Sequence, residues 1–564
     1  MTKVTSLALQ RMRRPLLVLI GAYAVSILGM VLVPGVDDQG QPWHMDFFHA
    51  LYFVSFMSTT IGFGEIPYAF SEAQRLWTTV IIYFSVTTWV YAFGSILALV
   101  QEPAFRAALT SGRYARSVRR IREPFYLVCG YGDTGSLLVH ALAERRLRAV
   151  VIDIDPQRIQ DLVLDEPEIF VPGLCADAAD PQTLLVSGLK HPHCAAVVAV
   201  TNNDQANLTV AITVKLLNPA LPVICRAESA EVEANMASFG TDHIIDPFEA
   251  FAERVAMAIH SPGLHLLHEW LSGVPDSPLT EPLYPPRGSW VLCGYGRFGK
   301  AMHRYLGYEG VPVVVVEADP TATHSPPGAV VGRGTGADTL REAGIDKAVG
   351  LVAGTNDDAD NLSIIMTALA LNPRLFVVAR QNKRAHEALF GAARSELVMQ
   401  SGRIIARKIL TFLITPLLAR FLRLSYSQRG DWANLLVSRI AAVVGDRVPD
   451  IWVVNLNTVE APALYAALAM GEQMCLGNLL RDPWERERPL PCIPLLLRRR
   501  EQDILLPEPD TGLALGDVLL FCGDTPAGNR MRSTLRVPKV LTYLSTGREI
   551  PDGMLWRWLA GRGG

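Results

Sequence analysis

Residues 58–65 read Ser-Thr-Thr-Ile-Gly-Phe-Gly-Glu and lie between two long apolar stretches of a 564-residue chain. Gly62 and Gly64 have no Cβ atom, so their backbones can adopt angles that are closed to other residues. Alternating such residues lets successive carbonyl oxygens point towards one axis. A ring of these carbonyls from several subunits can replace the water around a dehydrated cation. An ordinary glycine-rich turn between two helices is the alternative interpretation.

The composition points to a partly membrane-embedded protein and excludes some classes of function. Hydrophobic residues make up 50% of the chain, and the mean hydropathy is +0.22. The formal net charge of −3 argues against a nucleic-acid-binding protein, which would present a basic face. Eight cysteines are present, none of them in a C-x-x-C pair. They are typical of reduced, buried thiols in a cytosolic portion, and neither a disulfide framework nor a zinc site is expected.

Two uncharged stretches are long enough to cross a bilayer. Residues 16–33 contain no charged side chain, and neither do the 25 residues from 76 to 100. As a helix the second stretch would be about 37 Å long, against a hydrocarbon core of about 30 Å. A cleaved signal peptide is the alternative for the first stretch, although residues 34–37, Pro-Gly-Val-Asp, offer no small-residue cleavage site.

The distribution of charge predicts the orientation of the two spans. Four basic residues precede the first span and six follow the second, whereas the loop between them carries five acids and one arginine. Lysine and arginine are enriched on the cytoplasmic side of membrane proteins. We therefore expect both termini in the cytoplasm and an acidic outer loop, which would concentrate cations at that face.

A short apolar segment, residues 47–57, predicts a re-entrant helix that leads to residues 58–65. Irregular backbone at membrane depth must be buried in protein or line a water path. The segment therefore needs several copies of the chain around an axis.

Gly94, in the inner third of the second span, is a candidate for a gating bend, since glycine weakens a helix by up to about 1 kcal/mol relative to alanine. Close packing against a neighbouring helix is the alternative.

After residue 123 the sequence repeats once. Residues 125–135 recur at 290–299, with their first glycines 164 positions apart. Later, residues 198–204 and 223–226 recur at 351–358 and 377–380. Short apolar runs that alternate with amphipathic helices predict βαβ units and a parallel sheet in each repeat.

Each repeat carries a G-x-G-x-x-G motif between a predicted strand and a helix, and an acid follows 18 residues after its third glycine. The first glycine permits a tight turn, the second lets a pyrophosphate approach, and the third lets the helix pack on the strand. The helix N-terminus attracts phosphate. Since the acid accepts hydrogen bonds from ribose hydroxyls, NAD or an adenine nucleotide is favoured over NADP.

Twenty residues are candidates for binding the nucleotide. Those of the first repeat are Gly130, Tyr131, Gly132, Asp133, Thr134, Gly135, Asp153, Asp177, Thr201 and Arg226. Those of the second repeat are Gly294, Tyr295, Gly296, Arg297, Phe298, Gly299, Glu317, Arg333, Thr355 and Arg380. No catalytic residue is predicted.

Two parts of the chain resemble one known family over nearly the whole length. Thr60, Ile61, Gly62, Phe63 and Gly64 are similar to the K+ channel filter signature Thr-Val-Gly-Tyr-Gly, with Ile for Val and Phe for Tyr. The repeats resemble RCK domains, the regulators of K+ conductance, which are related to the nucleotide-binding subunits of bacterial K+ uptake systems. The chain is thus similar to two-transmembrane bacterial K+ channels with tandem RCK (TrkA-N, KTN-like) domains.

The resemblance implies an α-helical two-span pore domain, two α/β Rossmann-like RCK domains and a small α+β C-terminal lobe. The expected boundaries are a cytoplasmic N-terminus at 1–15, pore domain at 16–100, linker at 101–122, first RCK domain at 123–272, linker at 273–288, second Rossmann lobe at 289–412, C-terminal lobe at 413–536 and tail at 537–564. It also implies a homotetramer in the bacterial inner membrane. K+ is then the permeant ion, and NAD or ADP is the regulatory ligand.

The repeats differ from each other and from the family at several positions. The family's Gly-Asp-Ala after the third strand appears as residues 176–178, Ala-Asp-Ala, and becomes residues 332–334, Gly-Arg-Gly. The two lobes are therefore expected to differ in ligand, or one of them to bind none; if only one binds, we expect the first. Asp204 and Glu228 match two acids that bind Ca2+ in some RCK domains, but Arg226 stands at the third position, and its charge disfavours a cation.

Two other classes of function remain as alternatives. A membrane-tethered NAD-dependent oxidoreductase would account for the glycine motifs but not for residues 60–64, and a fold alone does not imply catalysis. A nucleotide-sensing regulatory subunit of a K+ transporter would not need a pore of its own. We therefore expect a ligand-gated K+ channel and not an enzyme.

Overall fold

The computed structural model describes residues 2–548 except 65, 166, 274–276, 280 and 429. The predicted tail from residue 549 onwards, part of the second linker and Glu65 therefore lie outside the described residues. The chain divides between Arg122 and Glu123 into two compact units.

The first unit is built on three apolar helices. Its elements are α1 (Thr2–Leu32), β1 (Gly35–Val36), β2 (Pro42–Trp43), α2 (Phe47–Ser58), α3 (Glu72–Gln101) and α4 (Pro103–Arg119). Two of the helices, over Met12–Leu32 and Glu72–Gln101, are long and apolar enough to cross a membrane. The short helix α2 coincides with the predicted re-entrant segment, and α4 spans most of the predicted linker at 101–122.

Close packing joins α1 to α3. The indole of Trp77 lies against Gly29, where a Cβ atom would overlap the ring, and its Nε1 donates to the carbonyl of Ser26 over 3.4 Å. Met30 and Ile81 are buried in the same cluster, together with side chains of α2. The outer faces of α1 and α3 keep many large apolar side chains exposed, as expected for helices that face lipid or further subunits.

The second unit begins with a six-stranded parallel sheet. Its elements are β3 (Phe125–Cys129), α5 (Asp133–Glu144), β4 (Arg148–Asp153), α6 (Pro156–Leu164), β5 (Gly173–Cys175), α7 (Pro181–Val186), β6 (Cys194–Ala199), α8 (Asp204–Leu217), β7 (Val223–Arg226), α9 (Ala230–Ser238), β8 (His243–Ile245), α10 (Pro247–His260) and α11 (Pro262–Leu271). The strand order is β5-β4-β3-β6-β7-β8, so the order reverses beside β3. Ligands of such sheets bind at that reversal, beyond the carboxyl ends of the strands.

The second repeat has the same design. Its elements are β9 (Trp290–Cys293), α12 (Arg297–Tyr308), β10 (Val313–Glu317), α13 (Pro320–Thr323), β11 (Val330–Val331), α14 (Ala337–Glu342), β12 (Gly350–Ala353), α15 (Asp358–Leu371), β13 (Phe376–Gln381), a 3-10 turn (Arg384–His386), α16 (Glu387–Ala392), β14 (Leu397–Gln400), α17 (Ser401–Ile414) and α18 (Pro416–Ser425). The strand order β11-β10-β9-β12-β13-β14 reproduces that of the first sheet.

The two repeats exchange a helix. Helix α10 of the first repeat packs on α12 of the second, where Phe248 and Phe251 meet Phe298. Helix α17 of the second repeat packs on α5 of the first, where Ile405 joins Leu138. Because α17 ends at Ile414, the predicted boundary at residue 412 falls inside this helix, and the repeat continues to Ser425.

The last part is an α+β lobe. Its elements are α19 (Gly430–Val444), β15 (Asp450–Asn455), α20 (Pro462–Ala469), α21 (Leu476–Leu479), β16 (Cys492–Arg499), β17 (Gln502–Leu505), β18 (Val518–Gly523), α22 (Thr525–Arg536) and α23 (Pro538–Thr546). The sheet is antiparallel, in the order β15-β18-β16-β17. Its core is continuous with α11 and α18, so both repeats contribute to the burial of its sheet.

A charged network lies where α10, α11 and α17 meet. The carboxylate of Glu269 on α11 pairs with Arg254 of α10 and, over 2.8 Å, with Arg407 of α17. Arg407 also donates to the carbonyls of Glu269 and Ser272, over 2.6 and 2.7 Å. Burial alone would raise the pKa of Glu269, but the two guanidiniums outweigh it and lower the pKa to about 2. The network therefore holds three helices together through one carboxylate.

His265 on α11, beside this network, predicts a loss of stability in mild acid. It is 7% exposed, and burial lowers its pKa from 6.5 to about 4, with Arg254 and Arg407 acting in the same sense and Glu269 opposing. Because the folded-state pKa is depressed, the stabilising contribution is complete above pH 6.5 and is lost as the pH falls towards 4. The full loss is about 3 kcal/mol. Thermal unfolding of the full chain between pH 7.5 and 4 should show a decline of Tm that His265→Gln makes shallower.

The exposed His193 provides the control for this measurement. His193→Gln should leave the pH dependence of Tm as steep as in the wild type, because His193 is exposed and lies outside α11 and the charged network. Equal slopes for wild type and His265→Gln would contradict the assignment of the decline to His265.

Candidate functional site

The segment after α2 turns back onto the end of that helix. The N–H of Thr60 donates to the carbonyl of Met57, and the N–H of Ile61 to that of Phe56, both over 3.0 Å. Thr60, Gly62 and Gly64 have φ of +59°, +66° and +76°, whereas the two residues between them do not have positive φ. Such alternation of left- and right-handed backbone turns successive carbonyl groups to one side of the chain, as a ring of cation ligands requires.

The side chains of this segment have little cover within one chain. Ile61 is 60% exposed and Phe63 is 67% exposed. The ring of Phe63 packs edge-on against that of Phe56, with the ring centroids 6.4 Å apart. Among the residues that the structure describes, a Cβ atom at Gly62 or Gly64 would meet nothing within 4 Å. Both sides of the segment are therefore free for contacts that a single chain does not provide.

Helix α2 aims its carboxyl end at the segment. It begins at the N-cap Asp46, whose carboxylate accepts from the N–H and the Nδ1 of His49, both over 2.7 Å, and it ends at Ser58. The carboxyl end of a helix carries a partial negative charge of about half an elementary charge. This partial charge favours a cation beside residues 59–64.

Gly94 lies in the unbroken helix α3, and a Cβ atom there would meet nothing within 4 Å among the described residues. On the same helix, the hydroxyls of Ser85 and Ser95 donate to carbonyls four residues earlier. This geometry tests neither of the two predicted roles of Gly94, a gating bend or close packing against a neighbouring helix. The role of Gly94 therefore stays a prediction.

The two glycine loops have matching geometry. Gly130 and Gly294 have φ of +104° and +94°, which L-residues with a Cβ atom rarely adopt. A Cβ at Gly135 or Gly299 would overlap the carbonyl oxygen of the first glycine of its own loop, so only glycine lets the helix start so close to the strand. At Gly132 and Gly296 a Cβ would meet nothing within 4 Å in the described part of the chain, so the backbone at these two positions is uncovered.

An acid closes each loop. Asp153 accepts from the N–H groups of Tyr131 and Asp155, over 2.5 and 2.8 Å. Glu317 accepts from those of Tyr295 and Asp319, over 2.5 and 3.1 Å. A carboxylate has about four acceptor positions, so each acid keeps capacity for ribose hydroxyls.

Several predicted residues contribute only backbone or lie apart from the loops. The side chains of Tyr131 and Phe298 are buried in the cores. Asp177 caps its own turn by accepting from the N–H of Ala179, and the counterpart Arg333 is exposed. The acid-to-base difference between the repeats thus lies on open surface, within reach of solvent.

The sequence prediction missed a buried asparagine in each repeat. Asn207 is 0% exposed and accepts from the N–H and hydroxyl of Thr201 while donating to the carbonyls of Thr201 and Arg226. Asn361 makes the same bonds to Thr355 and Arg380. In each repeat, this asparagine therefore joins the carboxyl ends of two neighbouring strands beside the glycine loop. The spacing Thr-x5-Asn in both repeats was the available signal.

The two calcium candidates are already engaged. Asp204 accepts from the N–H groups of Glu228 and Ser229, over 3.0 and 2.9 Å. Burial would raise the pKa of Glu228, but Arg226, Arg297 and Arg380 lower it, and the first two pair directly with its carboxylate. No group of three or more metal-binding side chains occurs among the described residues. The calcium site stays a prediction with no third ligand beside it.

Comparisons with known proteins identify both parts of the chain. Residues 126–247 and 290–400 match the TrkA-N domain, and residues 16–102 match the Ion channel family. Potassium channel protein 1 of Methanocaldococcus jannaschii is 22% identical over 233 residues, which are 41% of this chain and 68% of that protein. The Trk system potassium uptake protein TrkA homolog of Methanothermobacter thermautotrophicus is 30% identical over 168 residues, 28% of this chain and 76% of that protein.

Longer relatives and solved structures extend the comparison. The chain spans about a third, 34%, of a Methanothermus fervidus protein to which it is 27% identical over 226 residues. The solved GsuK channel is 16% identical, covers 94% of this chain and 99% of its own, and superposes with a TM-score of 0.49. In this chain an ion channel domain precedes two TrkA-N domains. The chain is a homologue of potassium channel proteins and belongs to the TrkA-N family.

Proposed function

We propose that this chain forms a K+-selective channel that opens or closes in response to cytosolic nucleotides. The observation that carries the proposal is the alternation of positive φ at Thr60, Gly62 and Gly64 directly after a short helix that points its carboxyl end at them. A backbone of this kind has little use in a turn, since a β-branched threonine at positive φ is strained. It is useful where carbonyl oxygens must line an ion path.

The ion path is proposed to form between the four chains of a homotetramer. One chain supplies one strand of carbonyls, and its exposed Ile61 and Phe63 have apolar side chains that need cover. Four copies around an axis would supply a ring of carbonyls at each level and would bury these side chains between subunits. The apolar surfaces of α1 and α3 then face lipid and neighbouring subunits.

We place both termini in the cytoplasm of a bacterial cell and the channel in its inner membrane, as a multi-pass protein. The basic residues before the first span and after the second support this orientation. The helix α4, with Arg116 and Arg119 in its last turn, then connects the inner end of the pore to the nucleotide-binding unit, and Gly94 is the candidate hinge above it.

The two glycine loops are the proposed sensors. Each combines an open helix N-terminus with an acid placed for a ribose, which favours ADP or NAD over a nucleotide with a 2′-phosphate. Binding can gate the pore only if the ligand has different affinities for the open and closed assemblies. Hydride transfer would require catalytic groups that the loops do not themselves provide, so the chain acts as a channel and not as an oxidoreductase or a poreless transport subunit.

Reconstitution of the full chain in liposomes tests the proposal. We expect K+ flux at least ten times faster than Na+ flux. We also expect the K+ flux to change when ADP, ATP, NAD, NADH or Ca2+ is added on the side of the membrane that corresponds to the cytoplasm. Equal Na+ and K+ flux would refute the channel. A flux that ignores all five ligands would refute ligand gating, and turnover of NADH would favour the enzyme.

A further inference from the structure

Helix α4 carries a row of arginines directly after the second apolar span. Arg106, Arg113 and Arg120 recur every seven residues, close to two helical turns, so they share one face of α4 and its C-cap. Arg116 lies about 60° to one side of this face. All four side chains are exposed. We call these four residues the arginine row.

Another face of α4 is packed against protein. Tyr114 is 4% exposed and Val118 is 1% exposed. Around the helix axis, both are turned away from Arg113 by about 100° or more. Because this packing fixes the rotation of the helix, the arginine row is held on the outside of the first unit.

The arginine row keeps its positive charge. Within the described residues, the side chains of Arg113 and Arg120 make neither a hydrogen bond nor an ion pair. Those of Arg106 and Arg116 donate only to backbone carbonyls, over 2.9 and 3.1 Å. Between positions 101 and 122 the sequence has six arginines and one acid, Glu102. One carboxylate cannot neutralise six guanidiniums, so the surface attracts anions.

The arginine row begins where the second span ends. The guanidinium of Arg106 reaches back to the carbonyl of Val100, in the last turn of α3, over 2.9 Å. Helix α3 is long and apolar enough to cross a membrane. Once α3 is inserted, its end lies near the lipid headgroups, and so does the start of the arginine row.

The first helix adds two arginines at this end of the helix pair. The hydroxyl of Ser71, just before α3, donates to the carbonyl of Pro34, just after α1, over 2.9 Å. Farther along α3, Trp77 donates to the carbonyl of Ser26. The two helices are therefore antiparallel. The exposed arginines at positions 13 and 14 lie at the same end of the pair as the carboxyl end of α3.

We propose that the arginine row binds the phosphate headgroups of anionic phospholipids in the cytoplasmic leaflet of the membrane. The proposal rests on the proposed insertion of α1 and α3 with their arginine-rich ends in the cytoplasm. Basic clusters immediately beside a span are attracted to the negative surface of that leaflet. Guanidiniums also bind phosphate through paired, charge-assisted hydrogen bonds.

Apolar side chains within the same surface favour a lipid over a dissolved anion. Phe105 and Leu109 lie within about 20° of Arg116 around the helix axis, and both are only half-buried. An interfacial helix places such side chains among the acyl chains while its basic side chains contact the headgroups. A free phosphate would use the guanidiniums and leave both apolar side chains in water.

Native mass spectrometry of the detergent-purified full chain tests the proposal, in micelles that contain equal amounts of phosphatidylglycerol and phosphatidylcholine. The wild type should retain phosphatidylglycerol in preference. Arg113→Gln together with Arg120→Gln should weaken phosphatidylglycerol binding about thirtyfold and leave phosphatidylcholine binding unchanged. The matched control is Arg532→Gln together with Arg536→Gln, two exposed arginines of helix α22, which should behave as the wild type does.

Two arms on the wild type identify the ligand without relying on a variant that folds. Glycerophosphoglycerol, the same headgroup without acyl chains, should not displace phosphatidylglycerol. Displacement would identify a site for dissolved phosphate and overturn the proposal. The lipid preference should fall as ammonium acetate is raised from about 0.01 M to about 1 M, because the screening length shortens from about 30 Å to about 3 Å. A preference that ignores salt would overturn the proposal too.

Equal retention of the two lipids by the wild type, or undiminished phosphatidylglycerol binding in the row variant, would also refute the lipid assignment. The measurement does not depend on ion conduction. A protein that prefers phosphatidylglycerol but passes Na+ and K+ equally would refute the channel and leave the arginine row assigned. A K+-selective protein without lipid preference would do the reverse.

Discussion

Replacing Gly62 with alanine is expected to reduce the K+ to Na+ permeability ratio at least tenfold, or to abolish conduction. Gly62 has φ of +66°, where an L-residue costs roughly 1–2 kcal/mol. The cost would recur in every subunit of a tetramer at the same level of the ion path. The backbone relieves it by rotating the peptide, which turns carbonyl oxygens away from the axis and leaves the dehydrated cation with fewer ligands.

Gly40→Ala is the matched control. Gly40 has φ of +75°, and a Cβ atom there would also meet no described residue within 4 Å, but Gly40 lies in the turn between β1 and β2. It therefore imposes the same backbone strain outside the proposed ion path. Reversal potentials under bi-ionic conditions should show wild-type selectivity for Gly40→Ala and none for Gly62→Ala. Equal selectivity in both variants would contradict the role of residues 60–64.

Thr60 shows where prediction from sequence stops in this segment. The glycines predicted positive φ at 62 and 64, because glycine alone adopts it at little cost. Thr60 also has positive φ, although its branched side chain disfavours that conformation, so no local preference could have indicated it. The bonds from residues 60 and 61 back to the end of α2 supply the constraint, and these are visible only in the structure.

The repeats were predictable in design but not in how they are joined. The recurrence of the glycine loop, the acid and the apolar runs predicted two parallel sheets, and both are present in the same strand order. An apolar helix face predicts that something covers it, not which repeat does so. The exchange of α10 and α17 therefore had no sequence signal, and for the same reason the boundary at residue 412 was placed inside a helix.

The position of Asn207 and the contact between the two repeats depend on tertiary structure in the same way. The Thr-x5-Asn spacing marks Asn207 in the first turns of α8 as a repeated feature, but it did not indicate that the side chain would be 0% exposed and bonded to two strands. Asp133 and Arg403 line one cavity between the repeats from opposite sides, although they are 270 positions apart in the sequence. Only the helix exchange brings them to one place.

Glu269→Gln is expected to destabilise the second unit by up to about 3 kcal/mol, since it leaves two partly buried guanidiniums without their shared carboxylate. Arg254 comes from the helix that packs on the second repeat, and Arg407 from the helix that packs on the first. Glu269 is thus the common partner of both exchanged helices. Thermal unfolding of the full chain should show a large fall in Tm, whereas Glu231→Gln, at an exposed site on α9, should change it little.

A second variant separates loss of charge from loss of packing. Replacing Glu269 with leucine together with Arg254→Met and Arg407→Met removes the charges as a set, and apolar replacement of a whole buried network is often neutral or stabilising. The triple variant should therefore recover most of the Tm that Glu269→Gln loses. A Tm for Glu269→Gln equal to that of Glu231→Gln would show that the network contributes nothing. A triple variant as unstable as the single one would show that the three helices require the ion pairs themselves.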